Sequence, residues 1–165
     1  MPFGRPDPGR PARRACRGTE RRSPVNFWDT SALVALEVDE LHRKPAVRLL
    51  EQDDRMAVWW GTSVEYVAAL ARREREGSLT PADVSSIVER LRALSRTWYE
   101  VRPDQRVKDV AGRLLRVHPL RAADALQLAA ALAAADDDPG NIGFVCFDTR
   151  LNEAASREGF AILGR

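Results

Sequence analysis

Cysteine and histidine are scarce in this chain: Cys16 and Cys146, His42 and His118 are its whole supply. Two cysteines cannot build a disulfide framework, and Cys146 falls inside an apolar run that reads as a buried strand, so a reducing, cytoplasmic setting is expected. The histidines stand far apart and read as helix-end residues, which excludes a zinc site built from the usual nitrogen and sulfur ligands. Long hydrophobic runs are missing too. The stretch from Ala125 to Ala135 contains Gln127 and stops at Asp136, short of the ~18 apolar residues that a membrane span requires, so no membrane association is expected. There is no G-x-G-x-x-G and no G-x-x-x-x-G-K-[ST] loop, which removes the common nucleotide cradles. An aspartyl-nucleophile phosphatase would carry a second acid two positions after the first, but after Asp29 that position is Ser31.

What is present suits a folded domain. With 44% hydrophobic and 30% charged residues over 165 positions, the chain can bury one core. Its charge is unevenly divided. Residues 1 to 24 hold seven arginines against Asp7 and Glu20, a net of +5, which leaves 19 basic and 22 acidic side chains in residues 25 to 165, a net of −3. The same first segment has five of the ten prolines and three of the ten glycines and almost no large apolar residues, too little to offset the entropy of ordering it. Residues 1 to 24 are therefore expected to be a disordered basic tail or the result of a misassigned start, and residues 25 to 165 a single domain. No apolar stretch follows those arginines, so they are not expected to open a signal peptide.

Short apolar segments alternate with helical ones. Val25 to Trp28, Arg55 to Trp60, Trp98 to Val101, Ile142 to Phe147 and Phe160 to Leu163 read as strands. Helices are expected from Asp29-Thr30-Ser31 through Val38, then over Leu41 to Glu51, Thr62 to Gly77, Pro81 to about Thr97, Asp104 to His118, Leu120 to Ala135 and Thr149 to Glu158. A turn-rich loop is expected over Asp136 to Asn141. This alternation calls for a parallel sheet covered on both faces. Asp29 and Asp148 each follow a strand, at the carboxyl edge where ligands of open α/β sheets bind.

Four acids stand among apolar residues near helix starts: Asp29, Glu65, Asp124 and Asp148. Each has a plain structural explanation. Asp29 and Asp148 suit N-caps, Thr62 and Glu65 have the spacing of a capping box, and Asp124 falls in a first turn where the helix dipole favours an anion. Jointly they have another, because desolvated carboxylates need a partner for their charge and oxygen donors suit Mg²⁺ or Mn²⁺. Asp124 also shares a helical face with Leu128 and Ala131, so it points along an otherwise apolar stripe. Trp59-Trp60 offers stacking surface for bases, although adjacent strand residues face opposite ways and core packing is the simpler expectation.

The run Asp29-Thr30-Ser31-Ala32-Leu33, Glu65 after the second strand, Leu120-Arg121-Ala122-Ala123-Asp124-Ala125-Leu126-Gln127-Leu128-Ala129, and Phe147-Asp148 followed by Arg150-Leu151-Asn152 and Ala154-Ala155 come in an order that resembles the PIN domain. The chain from about Val25 to Leu163 looks most like the toxin half of VapBC toxin–antitoxin systems. The resemblance implies an α/β, three-layer sandwich with a parallel central sheet of about five strands flanked by helices. It also implies a Mg²⁺- or Mn²⁺-dependent endoribonuclease that hydrolyses RNA phosphodiester bonds, a homodimer, and a cognate VapB-like antitoxin. Asp29, Glu65, Asp124 and Asp148 would then be both catalytic and metal-binding, with Thr30 and Ser31 orienting them. At Cys146 the chain departs from the many relatives that carry Thr two residues before the fourth acid. RNA approaching a net-negative domain needs local cations, for which Arg72, Arg73 and Arg75 after Glu65, and Arg121 and Arg150 beside two of the acids, are the candidates. The alternative is a catalytically silent PIN-like module that binds protein or RNA, against which stands the retention of all four acids.

Overall fold

The structure, a computed structural model, describes residues 25–38 and 40–164; the basic tail expected over residues 1 to 24 lies outside them. Among the described residues the elements are β1 (Asn26–Trp28), α1 (Thr30–Val38), α2 (Glu40–Gln52), β2 (Met56–Trp59), α3 (Thr62–Arg75), α4 (Pro81–Leu94), β3 (Tyr99–Val101), α5 (Gln105–Val117), α6 (Ala122–Ala134), β4 (Gly143–Val145), α7 (Thr149–Arg157) and β5 (Ala161–Leu163). All five strands pair in parallel, in the order β3-β2-β1-β4-β5. The chain thus lays β2 and β3 on one side of β1 and then β4 and β5 on the other. The reversal in strand order falls between β1 and β4, and their carboxyl ends form the switch point of the sheet.

Three layers follow from the period of the strands, since successive side chains leave a strand on opposite faces. Phe27, Ala57, Trp59 and Phe144 enter one core, filled from α5, α6 and α7, whereas Trp28, Met56, Val58 and Val145 enter another, filled from α1, α3 and α4. The expected parallel sandwich is the one observed. Alanines 125, 129, 130 and 131 are all buried on α6, and such small side chains let this helix lie close to the sheet. The alternation also divides the tryptophan pair: Trp59 is 5% exposed and belongs to the core, while Trp60, in the turn before α3, is 53% exposed.

Helix boundaries follow local chemistry. At the start of α4, Thr80 and Asp83 exchange the two bonds of a capping box ahead of Pro81. Gly77, expected to stop α3, has φ +75°, a conformation that glycine adopts without penalty. One start is later than expected. Arg121 has φ −81° and ψ 161° and is the extended N-cap of α6, so Leu120 and Arg121 stay outside the helix after Pro119.

On the outer face, α5 is fastened to the end of α7 by Glu158, whose carboxylate accepts from Arg113 Nη2 at 2.7 Å and pairs with His118 Nε2 at 2.7 Å. A carboxylate only accepts, so His118 carries its proton on Nε2. Arg113 first, with His118, holds the Glu158 carboxyl below its ordinary range. A lowered acid adds stability above its unfolded pKa and loses it as pH falls through its folded pKa. Glu158→Ala, which strips the buried His118 of this partner, is expected to cost about 2 kcal/mol at pH 7 and to flatten the loss of stability on acidification. Urea unfolding at pH 7 and pH 4 measures both, and a variant that unfolds like the wild type at pH 7 contradicts the assignment.

Candidate active site

β1 ends at Trp28, and the Asp29 amide continues the ladder by donating to Val145 O at 3.0 Å. Here the backbone turns into α1. Asp29 Oδ2 accepts from Ser31 N at 2.8 Å, while the Asp29 carbonyl accepts from Ala32 N and Leu33 N. Ser31 in turn reaches across the switch point, where its Oγ accepts from Phe147 N at 3.0 Å. Cys146 completes the crossing. Its thiol lies 3.5 Å from Asp29 Oδ2, which it can only serve as donor, and its sulfur receives Asp148 N at 3.3 Å. The first and fourth acids are therefore linked through one buried sulfur. Asp148 is also the N-cap of α7, with Oδ1 accepting from Leu151 N at 2.9 Å.

Glu65 does not use the expected capping box. The N-cap of α3 is Gly61, and Glu65 Oε2 instead accepts from Thr30 Oγ1 at 2.8 Å and from Gln127 Nε2 at 2.9 Å. Thr62, fully buried, faces Gln127 at 3.2 Å. Asp124 sits one turn before Gln127 on α6, partly buried, and its Oδ2 accepts from Arg121 N at 3.3 Å. Because α6 runs back along the sheet into β4, its N-terminus lies at the carboxyl edge with the other acids. From the sequence, Thr62 reads only as a capping-box residue and Gln127 only as a break in an apolar run, and neither these two nor the contacts of Cys146 are expected at the site. The available signal was a single amide inside an otherwise alanine- and leucine-rich helix.

Asp29 is 5% exposed, and burial pushes its carboxyl up to about 6; the hydrogen bonds from Ser31 pull the other way, and the Glu65 charge raises it further. Ionising Asp29 beside Glu65 carries a penalty that a cation would offset, and the all-oxygen carboxylate set suits a hard divalent ion. Among the described residues no three of these side chains converge tightly enough to hold one ion as they stand. The Glu65 charge acts on Asp29, whereas Asp124 and Asp148 are each tied to the start of their own helix.

Beside the acids lies a recess of about 240 Å³ lined by Thr30, Ser31, His42, Arg72, Arg73, Phe147 and Asp148, among others. Of the five candidate arginines it selects Arg72 and Arg73. None of the five makes an ion pair among the described residues, whereas Arg55, Arg90, Arg92, Arg106 and Arg113 all do. A second cavity of about 270 Å³, between Leu33, Leu50, Tyr66 and Leu91, contains none of the four acids.

A sequence model of the PIN domain matches residues 27–156. Two curated proteins, ribonuclease VapC45 of Mycobacterium tuberculosis strain CDC 1551 / Oshkosh and ribonuclease VapC49 of strain ATCC 25618 / H37Rv, are each 34% identical to this chain over 139 residues, which is 82% of the chain and 92% of each relative. Among solved structures, a toxin-antitoxin complex from Klebsiella pneumoniae matches with a TM-score of 0.55 at 18% identity, over 76% of this chain and 88% of that one, a likeness of fold.

The raised Asp29 carboxyl makes a signed prediction for the chelator-treated protein. A folded pKa of about 6 against an ordinary 3.8 adds stability that is fully present below pH 3.8 and lost as pH rises through 6. The wild type is expected to lose on the order of 3 kcal/mol from this group between pH 4 and pH 7, and Asp29→Asn to escape that loss and unfold later than wild type at pH 7. Denaturant unfolding across that range in EDTA decides it; parallel curves for the two proteins would exclude the proposed penalty.

Proposed function

The chain belongs to the PIN domain family, and on that footing we propose that it is a metal-dependent endoribonuclease, the toxin of a toxin–antitoxin pair. The observation that carries this reading is Asp29, a carboxylate buried at the sheet's switch point with Glu65 opposing its ionisation and no basic side chain bonded to it among the described residues. Mg²⁺ or Mn²⁺, when bound, supplies a polarised water and offsets charge on the attacking and leaving oxygens of an RNA phosphodiester. Asp29, Glu65, Asp124 and Asp148 are assigned as the acids that hold it, some through water, since Mg²⁺ commonly takes only one or two carboxylates directly.

The remaining residues position and neutralise. Ser31 and Cys146 orient Asp29, and Thr30 orients Glu65. Arg72 and Arg73, across the recess from Ser31 and Asp148, are assigned to the phosphates next to the scissile bond. Arg75, Arg121 and Arg150 are exposed and lie outside the recess lining, and are assigned to the flanking RNA backbone. A VapB-like antitoxin belongs to the same reading, supported by the likeness to the two VapC ribonucleases and to a toxin-antitoxin complex, and a homodimer and a cytoplasmic setting complete it. No helix among the described residues is long and apolar enough to cross a membrane. Residues 25 to 165 are assigned to one catalytic domain, with the arginine-rich residues 1 to 24 outside it.

The purified chain is expected to cut RNA with Mn²⁺ or Mg²⁺ and not in EDTA, and Asp29→Asn to fall to background while remaining folded. Metal should also stabilise the fold, by about 1.4 kcal/mol at ten times its Kd, and Asp124→Asn should shrink that response. Thermal melts that coincide with and without metal at matched ionic strength, together with uncut RNA, would leave the silent binding module as the better account. Replacing Arg72 and Arg73 together by alanine is expected to raise KM far more than it lowers kcat, and to reduce the slope of log affinity against log salt by about 1–2. An unchanged KM and slope would remove the recess from the RNA path.

A further inference from the structure

Gln127 is 1% exposed in the middle of α6, flanked by the buried Leu128, Ala129 and Ala130, where any of several apolar residues would pack. A buried amide is costly unless it is hydrogen-bonded. Its Nε2 has two hydrogens and three acceptors within reach: Thr30 Oγ1 at 2.7 Å, Glu65 Oε2 at 2.9 Å and Thr62 Oγ1 at 3.2 Å. Its Oε1 has no partner among the described residues, so the side chain is not arranged for its own satisfaction.

The proton order in this cluster is determined. Thr30 spends its hydroxyl hydrogen on Glu65 Oε2 and is left to accept from Gln127. Glu65 Oε2 thus receives donors from two elements at once, which fixes the plane of its carboxylate, and Oε1 accepts from no described residue. The three partners also come from one layer and Gln127 from the other. Thr30 opens α1, and Thr62 and Glu65 lie one turn apart in α3, on one side of the sheet, whereas α6 covers the other side. Gln127 ties the two helix layers together over the carboxyl edge. Asp124, one turn earlier on α6, is carried with it.

We propose that Gln127 is a positioning residue of the active site: its amide sets the Glu65 carboxylate and holds the α6 end that bears Asp124 in register with Asp29. The inference deepens the ribonuclease reading and rests on it. Residues that orient metal-binding side chains typically contribute 10–100-fold to metal affinity or activity when removed.

The test uses the full chain and Gln127→Met, which keeps length and volume and removes the hydrogen bonds. Expected are a kcat for RNA cleavage lower by about 10–100-fold with KM within about twofold, and a Kd for Mn²⁺, measured by calorimetry without RNA, weaker by about tenfold. A merely structural role would lower the melting temperature and leave kcat per folded molecule and the Mn²⁺ Kd unchanged, and that result overturns the proposal. Thr62→Val, similar in shape and hydrogen-bonded among the described residues to Gln127 and to none of the four acids, should shift both quantities in the same direction by less; if Gln127→Met does not fold, this variant decides by the same two readouts. A wild type that binds Mn²⁺ and cuts no RNA would fail the ribonuclease reading instead, with the Mn²⁺ Kd of the variants still judging Gln127.

Discussion

Negative charge has to be kept together at the edge of an apolar sheet, and the rest of this molecule is arranged around that requirement. Asp29 leaves β1 directly into a buried position, and Glu65 stands close enough to raise its carboxyl further. Water cannot stabilise the pair fully, because the strands beneath and the helices on both sides exclude it. Backbone amides and short polar side chains take its place: Ser31 N on Asp29, Thr30 and Gln127 on Glu65, Leu151 N on Asp148. These dipoles keep the acids in position and leave their charge uncompensated, the charge that the proposed divalent cation would offset.

The sheet makes the meeting possible. Five parallel strands with a reversal at β1 put the ends of β1 and β4 side by side, so Asp29 and Asp148 are neighbours although they are far apart in the chain. Alternate burial of Phe27 and Trp28, and of Phe144 and Val145, commits each face to its own helix layer. Two layers then contribute acids to one edge, Glu65 from α3 and Asp124 from α6, and α6 comes near because its buried face is mostly alanine. Each acid also has an ordinary structural duty. Asp148 caps α7 and Asp124 accepts from the chain before α6, so the same oxygens that could ligate an ion begin helices. Capping and ligation are compatible because a carboxylate has several acceptor sites.

Much of this was written locally. Period-two strands and proline and glycine at boundaries were enough for the parallel α/β sandwich, because strand alternation and helix capping act over a few residues, while the four acids stood out as a set only through the motif order that resembles the PIN domain. Thr80 with Pro81 and Gly77 behave as their residue types require. Other features depend on which distant groups arrive together. The T-x-x-E of Thr62 and Glu65 has capping-box spacing, yet Thr30 and Gln127 compete for Glu65 and win, since both are buried polar groups that need a partner, and α3 starts after Gly61 with no side-chain cap. The role of Gln127 is invisible in a helix of alanines and leucines until α1 and α3 are set against it. Cys146, read as a buried strand residue, proves to bridge two acids because β1 and β4 end at the same level. The five arginines were equivalent in the sequence, and only the packing of α3 beside α1 and the β4–α7 turn brings Arg72 and Arg73 to the recess by Asp148. By itself the sequence determined the elements and their layering, consequences of short-range periodicity and capping, and it offered the four acids as candidates through a motif order that resembles the PIN domain; the partner of each acid was decided only by tertiary structure, because hydrogen bonds between groups dozens of residues apart depend on the sheet order that brings them within 3 Å.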